Sequence, residues 1–257
     1  MNQQVYAEER QQAILAKARA QGRVDVVGLA TELAVTTETV RRDLTVLERA
    51  GVVRRVHGGA IPVERLGFEP AVATRDAVMT AEKERIAKAA LAELPQEGSI
   101  IIDAGTTTGR LVEALPADRE LTVVVNSPAL ATNLATRANL TVLLLGGRVR
   151  GRTLATVDDW SLAPLSQLCV DVAFMATNGV STAHGLTTPD LAEAAVKRAM
   201  IGAARRTVLL ADHTKFGNDC LARFAGLAEI DALITDSGLD DETAGEFEQS
   251  GVRVVRA

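Results

Sequence analysis

The chain has 257 residues, 47% of them hydrophobic and 24% charged, which excludes a disordered or low-complexity protein and leaves room for one large α/β domain and a small one. No apolar run reaches the length of a bilayer span, and the first ten residues lack the basic-then-apolar order of a signal peptide, so the expected location is the cytoplasm, without a membrane partner. The formal charge of -5 argues against indiscriminate nucleic-acid binding, yet residues 1–60 alone carry a basic excess, nine Lys/Arg against seven Asp/Glu.

Residues 8–20 have helix-permissive composition, with Ile14 and Leu15 as the expected buried pair, and Gln21-Gly22 ends them. Asp25 suits the N-cap of a short amphipathic helix over 26–33, and Ala34-Val35 leaves room only for a tight turn. A second helix follows, with Thr36 as N-cap and Gly51 closing its far end. Its apolar residues Val40, Leu44 and Leu47 recur at steps of four and three, so one face packs while Thr37, Thr39, Arg41 and Arg42 look elsewhere. This is the pattern of a helix-turn-helix, whose second helix enters the major groove. The β-prone run 52–60, with two arginines and the Gly58-Gly59 tip, reads as a wing. Thr37, Thr39 and Arg41 are expected to read base edges, while Thr36, Arg42, Arg54, Arg55 and His57 bind phosphates or the adjacent groove.

The DNA-binding domain is accordingly placed at 1–60 and a linker without sustained periodicity, containing Pro62, Gly67 and Pro70, at 61–81. From 82 to 257 a helix over 82–94 precedes alternating apolar runs and helical segments. Strands are expected at 99–103, 121–125, 140–145, 171–175, 207–211, 231–235 and 252–255, and helices at 109–115, 128–137, 160–168, 191–204 and 241–250. Runs that are apolar throughout imply strands buried on both faces, hence a doubly wound, mostly parallel sheet.

Ligands of such sheets sit beyond the carboxyl ends of the strands. There the chain places Asp103, Gly105, Thr106, Thr107 and Thr108 at the start of a helix, then Asn126, Gly147-Arg148, Asn178, and Asp212 with Lys215. Small, polar and basic residues gathered at one edge point to a phosphorylated or polyhydroxylated small molecule, with Thr106, Thr107 and Arg148 or Lys215 facing phosphate and Asp103 or Asn126 facing hydroxyls. Neither a Walker A sequence nor a G-x-G-x-x-G fingerprint occurs, so no nucleotide cofactor is expected. His184 and His213 have no third ligand at a helpful spacing, so no metal is expected; Cys169 and Cys220 read as packed, reduced thiols and Trp160 as a core residue.

The segment VTTETVRRDLTVLERAGVVRRVHGGA resembles the winged helix-turn-helix of the DeoR family of bacterial transcriptional regulators. IIDAGTTT, VVNS, LLGGRVRG, GLTTPDLAEAAVKRAMI and LADHTKFG are similar to that family's effector domain, which implies a fold like ribose-5-phosphate isomerase. The resemblance implies a repressor of sugar-catabolism genes binding operator DNA as a homodimer or homotetramer. Its nearest likeness, to fructose and phosphotransferase operon repressors, implies a fructose phosphate as effector, fructose 1-phosphate first. Motif spacing puts Lys197, counted among the expected effector-binding residues, where the isomerases carry their catalytic Glu, which disfavours the alternative of an isomerase- or deaminase-like enzyme; a DNA-binding scaffold without effector is the other alternative. Two residues depart from the family pattern, Ala176 and Asp158, each standing where glycine is usual.

Overall fold

The computed structural model describes residues 7–49, 52–62, 69 and 71–257; the expected helix end at Gly51 lies outside them. The head comprises α1 (Ala7–Gln21), β1 (Val24–Asp25), α2 (Val26–Glu32), α3 (Thr37–Arg49), β2 (Val53–Val56) and β3 (Gly59–Pro62). Asp25 starts α2 by accepting from the Gly28 amide at 2.6 Å, and Thr36 Oγ1 accepts from the Thr39 amide at 3.2 Å. Between the two helices Ala34 adopts φ 52°, a left-handed backbone that costs a residue with a Cβ about 1 kcal/mol and that the surrounding packing must hold. Ile14, Leu29, Val40 and Leu44 form the buried centre of the head, with Leu15 only partly buried at its edge. β3 lies between β1 and β2, antiparallel to both. The wing's double glycine has a steric cause: Gly58 turns at φ 68°, and a Cβ on Gly59 would stand 1.9 Å from the Val24 carbonyl oxygen.

The larger domain runs through α4 (Val72–Asp76), α5 (Thr80–Ala90), β4 (Gly98–Ile102), α6 (Thr106–Ala114), β5 (Leu121–Val125), α7 (Pro128–Leu134), β6 (Leu140–Leu144), β7 (Arg148–Val149) and β8 (Thr156–Val157). It continues with α8 (Asp159–Leu165), β9 (Val170–Ala176), β10 (Gly179–Ser181), β11 (Gly185–Thr188), α9 (Leu191–Gly202), β12 (Ala204–Leu210), β13 (Ala222–Ala225), β14 (Ala232–Thr235), α10 (Asp241–Gln249) and β15 (Arg253–Arg256). The main sheet has the order β15-β14-β12-β9-β4-β5-β6, with every neighbouring pair parallel. Alternate residues of the central strands enter two separate cores: Ile100 and Ile102 join Ile86, Leu111 and Phe174 on one face, while Ile101 joins Met175, Met200 and Phe247 on the other. Helices cover both faces, which is why these strands read as unbroken apolar runs.

All seven expected strands are in this sheet, displaced at their ends by at most three residues. Two smaller antiparallel sheets, β10-β11-β13 and β7-β8, were not expected, and a short helix, α4, stands within the expected linker. Trp160 is not core: it lies on the outer face of α8 and is 79% exposed, because Ser161 and Leu165 take the inward positions. Cys169 is exposed rather than packed, whereas burial pushes the Cys220 thiol up to about 11. No helix among the described residues is long and apolar enough to cross a membrane.

Candidate functional site

On α3, burial of Val40, Leu44 and Leu47 fixes the helix rotation, and Arg41 and Arg42 are left exposed. Arg41 stands 3.6 Å from Glu38, both well exposed, an ion pair of little strength. Thr37 and Thr39 are half-buried in the first turn, and the Thr36 hydroxyl, which caps the helix, also meets the Thr39 hydroxyl at 2.9 Å. Sequence reasoning missed Asp43, which falls three residues after Val40 and four before Leu47 and is therefore turned inward. It is 3% exposed and ties α3 to α1 through Arg10 and Gln11, the latter at 3.0 Å. An acidic residue in phase with the apolar stripe was the available signal.

The three wing residues divide. Arg55 stays exposed beside α3, its amide donating to Glu48 at 2.9 Å and its guanidinium reaching Thr45 at 3.4 Å. Arg54, however, faces Asp219 of the larger domain at 2.8 Å, and His57 Nε2 faces Asp240 at 2.8 Å. Arg23, from the segment between α1 and α2, lies beneath them. It donates to the His57 carbonyl at 2.5 Å and to the Thr214 carbonyl, and burial lowers its guanidinium to about 10. The loop after β12 thus touches the DNA-binding head directly.

The order in which strands are added reverses between β4 and β9, and the crevice at their carboxyl ends is the place where such folds bind ligands. Beneath its surface is a closed polar floor, buried below the residues that line the neighbouring cleft. Asp103, fully buried, is paired with buried Lys197, accepts from the Ala176 amide at 3.0 Å and lies 3.5 Å from Asn126 Nδ2. Lys197 also donates to the Ala176 carbonyl at 3.0 Å, and Asn126 Oδ1 accepts from the Ala104 amide at 2.7 Å. Above this floor α6 begins at Thr106 with Gly105 as an N-cap that supplies no side-chain bond, and both residues line a cleft of about 280 Å³. Gly105, Thr106 and Ser127 line one side, Thr153 and Leu154 another, and Val72, Ala73 and Asp76 of α4 a third. Gly105 has to be small here, since a Cβ would come within 2.9 Å of both Ala176 and Thr108.

The other expected effector residues scatter around this cleft. Thr107 and Thr108 are buried, the Thr108 hydroxyl donating to the Gly105 carbonyl at 3.0 Å. Gly147 and Arg148 line a separate depression with Trp160, and Arg148 is 60% exposed and bonded to Asp158 at 2.8 Å. Asp158 has φ 77°, the backbone region that favours glycine, and its charge points to Arg148 rather than into the cleft. Asn178 donates to Glu69 at 2.9 Å and accepts from Thr188 at 3.0 Å. Asp212 is fully buried, 3.5 Å from Lys215, and the charges of Lys215 and Lys83 overcome desolvation to hold its carboxyl below the usual range. Lys83 is itself buried and is lowered to about 8 by desolvation. Sequence reasoning missed Lys83, which donates to the Arg75 carbonyl and, at 2.5 Å, to the Val78 carbonyl, and it missed Glu69, Arg150 and Glu193, which meet only through contacts distant along the chain.

His213 and His184 belong to separate acid pairs, with Asp236 at 2.7 Å and Asp219 at 3.2 Å. The hydrogen bond to Asp236, larger than the opposing desolvation, raises His213 above its ordinary 6.5. A raised histidine contributes stability that is complete below that value and disappears as pH rises through the folded one. Thermal melting should therefore show a larger gap between wild type and Asp236→Asn at about pH 6 than at about pH 9. Equal gaps at both would exclude a protonated His213 from the folded state.

Residues 10–65 match the DeoR-like helix-turn-helix domain and residues 78–237 the DeoR C terminal sensor domain. The chain is 38% identical to the HTH-type transcriptional regulator GlpR of Haloferax volcanii over 90% of each chain, and 30% identical to the glycerol-3-phosphate regulon repressor of Escherichia coli over 89% of this chain and 90% of that one. Among solved structures it has a partial likeness to ribose 5 phosphate isomerase A from Neisseria gonorrhoeae, with 19% identity, a TM-score of 0.40, and coverage of 56% of this chain and 55% of that one. With a groove-reading head and a sensor domain joined in one polypeptide, the chain belongs to the DeoR family of transcriptional regulators.

Proposed function

We propose that this regulator represses sugar-catabolism genes and that a phosphorylated sugar, a fructose phosphate with fructose 1-phosphate first, binds in the sensor cleft and lowers its affinity for operator DNA. The observation that carries the reading is the pairing of an uncapped helix start, at Gly105, with the buried Asp103–Lys197–Asn126 floor at the sheet's switch point. The helix amides suit a phosphate and the floor suits hydroxyls. A relative named for the glycerol-3-phosphate regulon supports a phosphorylated polyol as the ligand class. An isomerase-like proton transfer is disfavoured because Lys197 is committed to Asp103 and to the Ala176 carbonyl.

The route to the head is short. Lys215 and Asp212 share a loop with Thr214, whose carbonyl receives Arg23 of the head. A ligand that shifts this loop alters how two heads of a dimer or tetramer present α3 to a repeated operator. Coupling of about 1–3 kcal/mol is reciprocal by linkage. Calorimetric titration with fructose 1-phosphate should therefore show affinity reduced by one and the same factor when operator is present and when the ligand and DNA are exchanged in order. Identical ligand affinity with and without operator would remove the induction scheme, and no binding of any sugar phosphate would remove the ligand.

A further inference from the structure

Beside the cleft lies a group of charges that the scheme above does not use. Glu69, from the segment between wing and sensor, is 1% exposed. Its carboxylate is paired with Arg150, accepts from Asn178 Nδ2 at 2.9 Å and lies 3.7 Å from Arg75, while its carbonyl accepts from Arg152 at 3.0 Å. Arg150 also holds Asp190 at 3.0 Å and Glu193 at 3.1 Å. Two guanidinium groups, of Arg75 and Arg150, thus face three carboxylates, Arg152 holds the Glu69 carbonyl, and Glu69 is the member that stands in sequence between β3 and α4.

Removing that one carboxylate changes the chemistry of the place. Arg75, Arg150 and Arg152 then exceed Asp190 and Glu193 by one positive charge, and the Asn178 amide is left as a donor. Arg75 adds two more donors, since its Nε and Nη2 are buried without a hydrogen-bond partner even with Glu69 in position. A group with more acceptor oxygens than a carboxylate would satisfy them. The place is also continuous with the cleft: Thr153, which is bonded to Glu193, and Val72, whose amide donates to the Arg152 carbonyl at 2.9 Å, both line it.

We propose that this arginine cluster is an anion-binding site for the effector, and that Glu69 is an internal occupant which a ligand's phosphate or carboxylate displaces. The inference rests on the sensor reading above and deepens it, moving the effector's anionic group from the α6 start to this cluster and leaving the helix amides to its hydroxyls. Displacement breaks the contacts of Glu69, which lies in sequence between β3 and α4, and so alters what ties that connection to the sensor. An internal carboxylate acts at high effective concentration and reduces the apparent affinity of any external anion by the fraction of time it holds the site.

The test uses the full chain and Glu69→Gln, which keeps the size of the side chain and removes its charge. Both proteins are titrated calorimetrically with fructose 1-phosphate, glycerol 3-phosphate and inorganic phosphate, and with gluconate as a carboxylate lacking phosphate. Glu69→Gln is expected to bind the matching anion about tenfold more tightly than wild type and to hold operator more weakly without ligand. Tightening confined to the phosphate compounds assigns a phosphate site, and tightening confined to gluconate a carboxylate site. Should Glu69→Gln melt early, Glu69→Asp retains the charge with a shortened reach and is expected to tighten binding to a smaller extent. Equal or weaker anion binding by the variants while wild type binds a sugar phosphate overturns the internal-occupant proposal and leaves the sensor reading intact. Absence of binding to every protein overturns both.

Discussion

Replacing Lys197 by alanine is expected to cost the sensor domain about 3–5 kcal/mol of stability, the usual penalty for leaving one member of a buried ion pair uncompensated. Asp103 is 0% exposed, so it has no water to turn to, and its remaining partners are the Ala176 amide and the Asn126 side chain. Changing Asp103 to asparagine in the same protein removes the stranded charge while keeping an oxygen for the Ala176 amide. The double variant is therefore expected to recover most of the loss, and the two single effects should be strongly non-additive. Denaturant unfolding of the four proteins measures this directly. If the double variant were as unstable as the sum of the singles, the pair would not be acting as a unit. Ligand titration of the refolded double variant separates structure from recognition, because a floor that binds sugar hydroxyls loses affinity when both charges go even though the fold returns.

The parts of this molecule that could be read in advance are those whose physical cause is local. Strand 121–125 was legible because it is buried within the sheet and its apolar run had no alternative use, whereas 140–144 was legible from its apolar run alone, since it is the edge strand and stays half exposed. The α3 helix was legible because its cap, its apolar spacing and its exposed arginines all lie within thirteen residues. Asp103, Asn126 and Lys197 were named from different loops and a helix, and they do meet. Glu69 and Arg150 are 81 residues apart, and nothing near either one announces the other. The same is true of Arg54 with Asp219 and His57 with Asp240, which turn two wing residues toward the sensor. The small β10-β11-β13 sheet escaped because β10 and β11 are rich in Gly, Ser and Thr, residues that equally well make loops, and β13 is only four residues long. Trp160 misled in the opposite direction, since aromatic character says nothing about which side of a helix faces the core.

Arg41→Ala is expected to weaken operator binding by about 1–3 kcal/mol, roughly 5- to 150-fold, and to blur preference at a single base pair. The geometry supports a base-reading role: Val40 and Leu44 are fully buried, so α3 cannot rotate, and Arg41 projects from the opposite side with more than half its surface exposed. Its partner Glu38 is more exposed still, so the pair exchanges readily for a base edge. Arg42, exposed on the same helix, supplies the comparison as an expected phosphate contact. Arg42→Ala should weaken all sequences alike and reduce the salt dependence by about one unit of log-log slope. Selection of bound sequences from a randomised operator pool, followed by titration of single-base variants at several salt concentrations, distinguishes the two. Uniform weakening by Arg41→Ala with a reduced salt slope would make Arg41 a phosphate contact and transfer base reading to Thr37 and Thr39. Because both threonines are half-buried and Thr39 is already bonded to Thr36, that outcome would require the first turn of α3 to rearrange on DNA, and the hydroxyl pair at 2.9 Å would have to open.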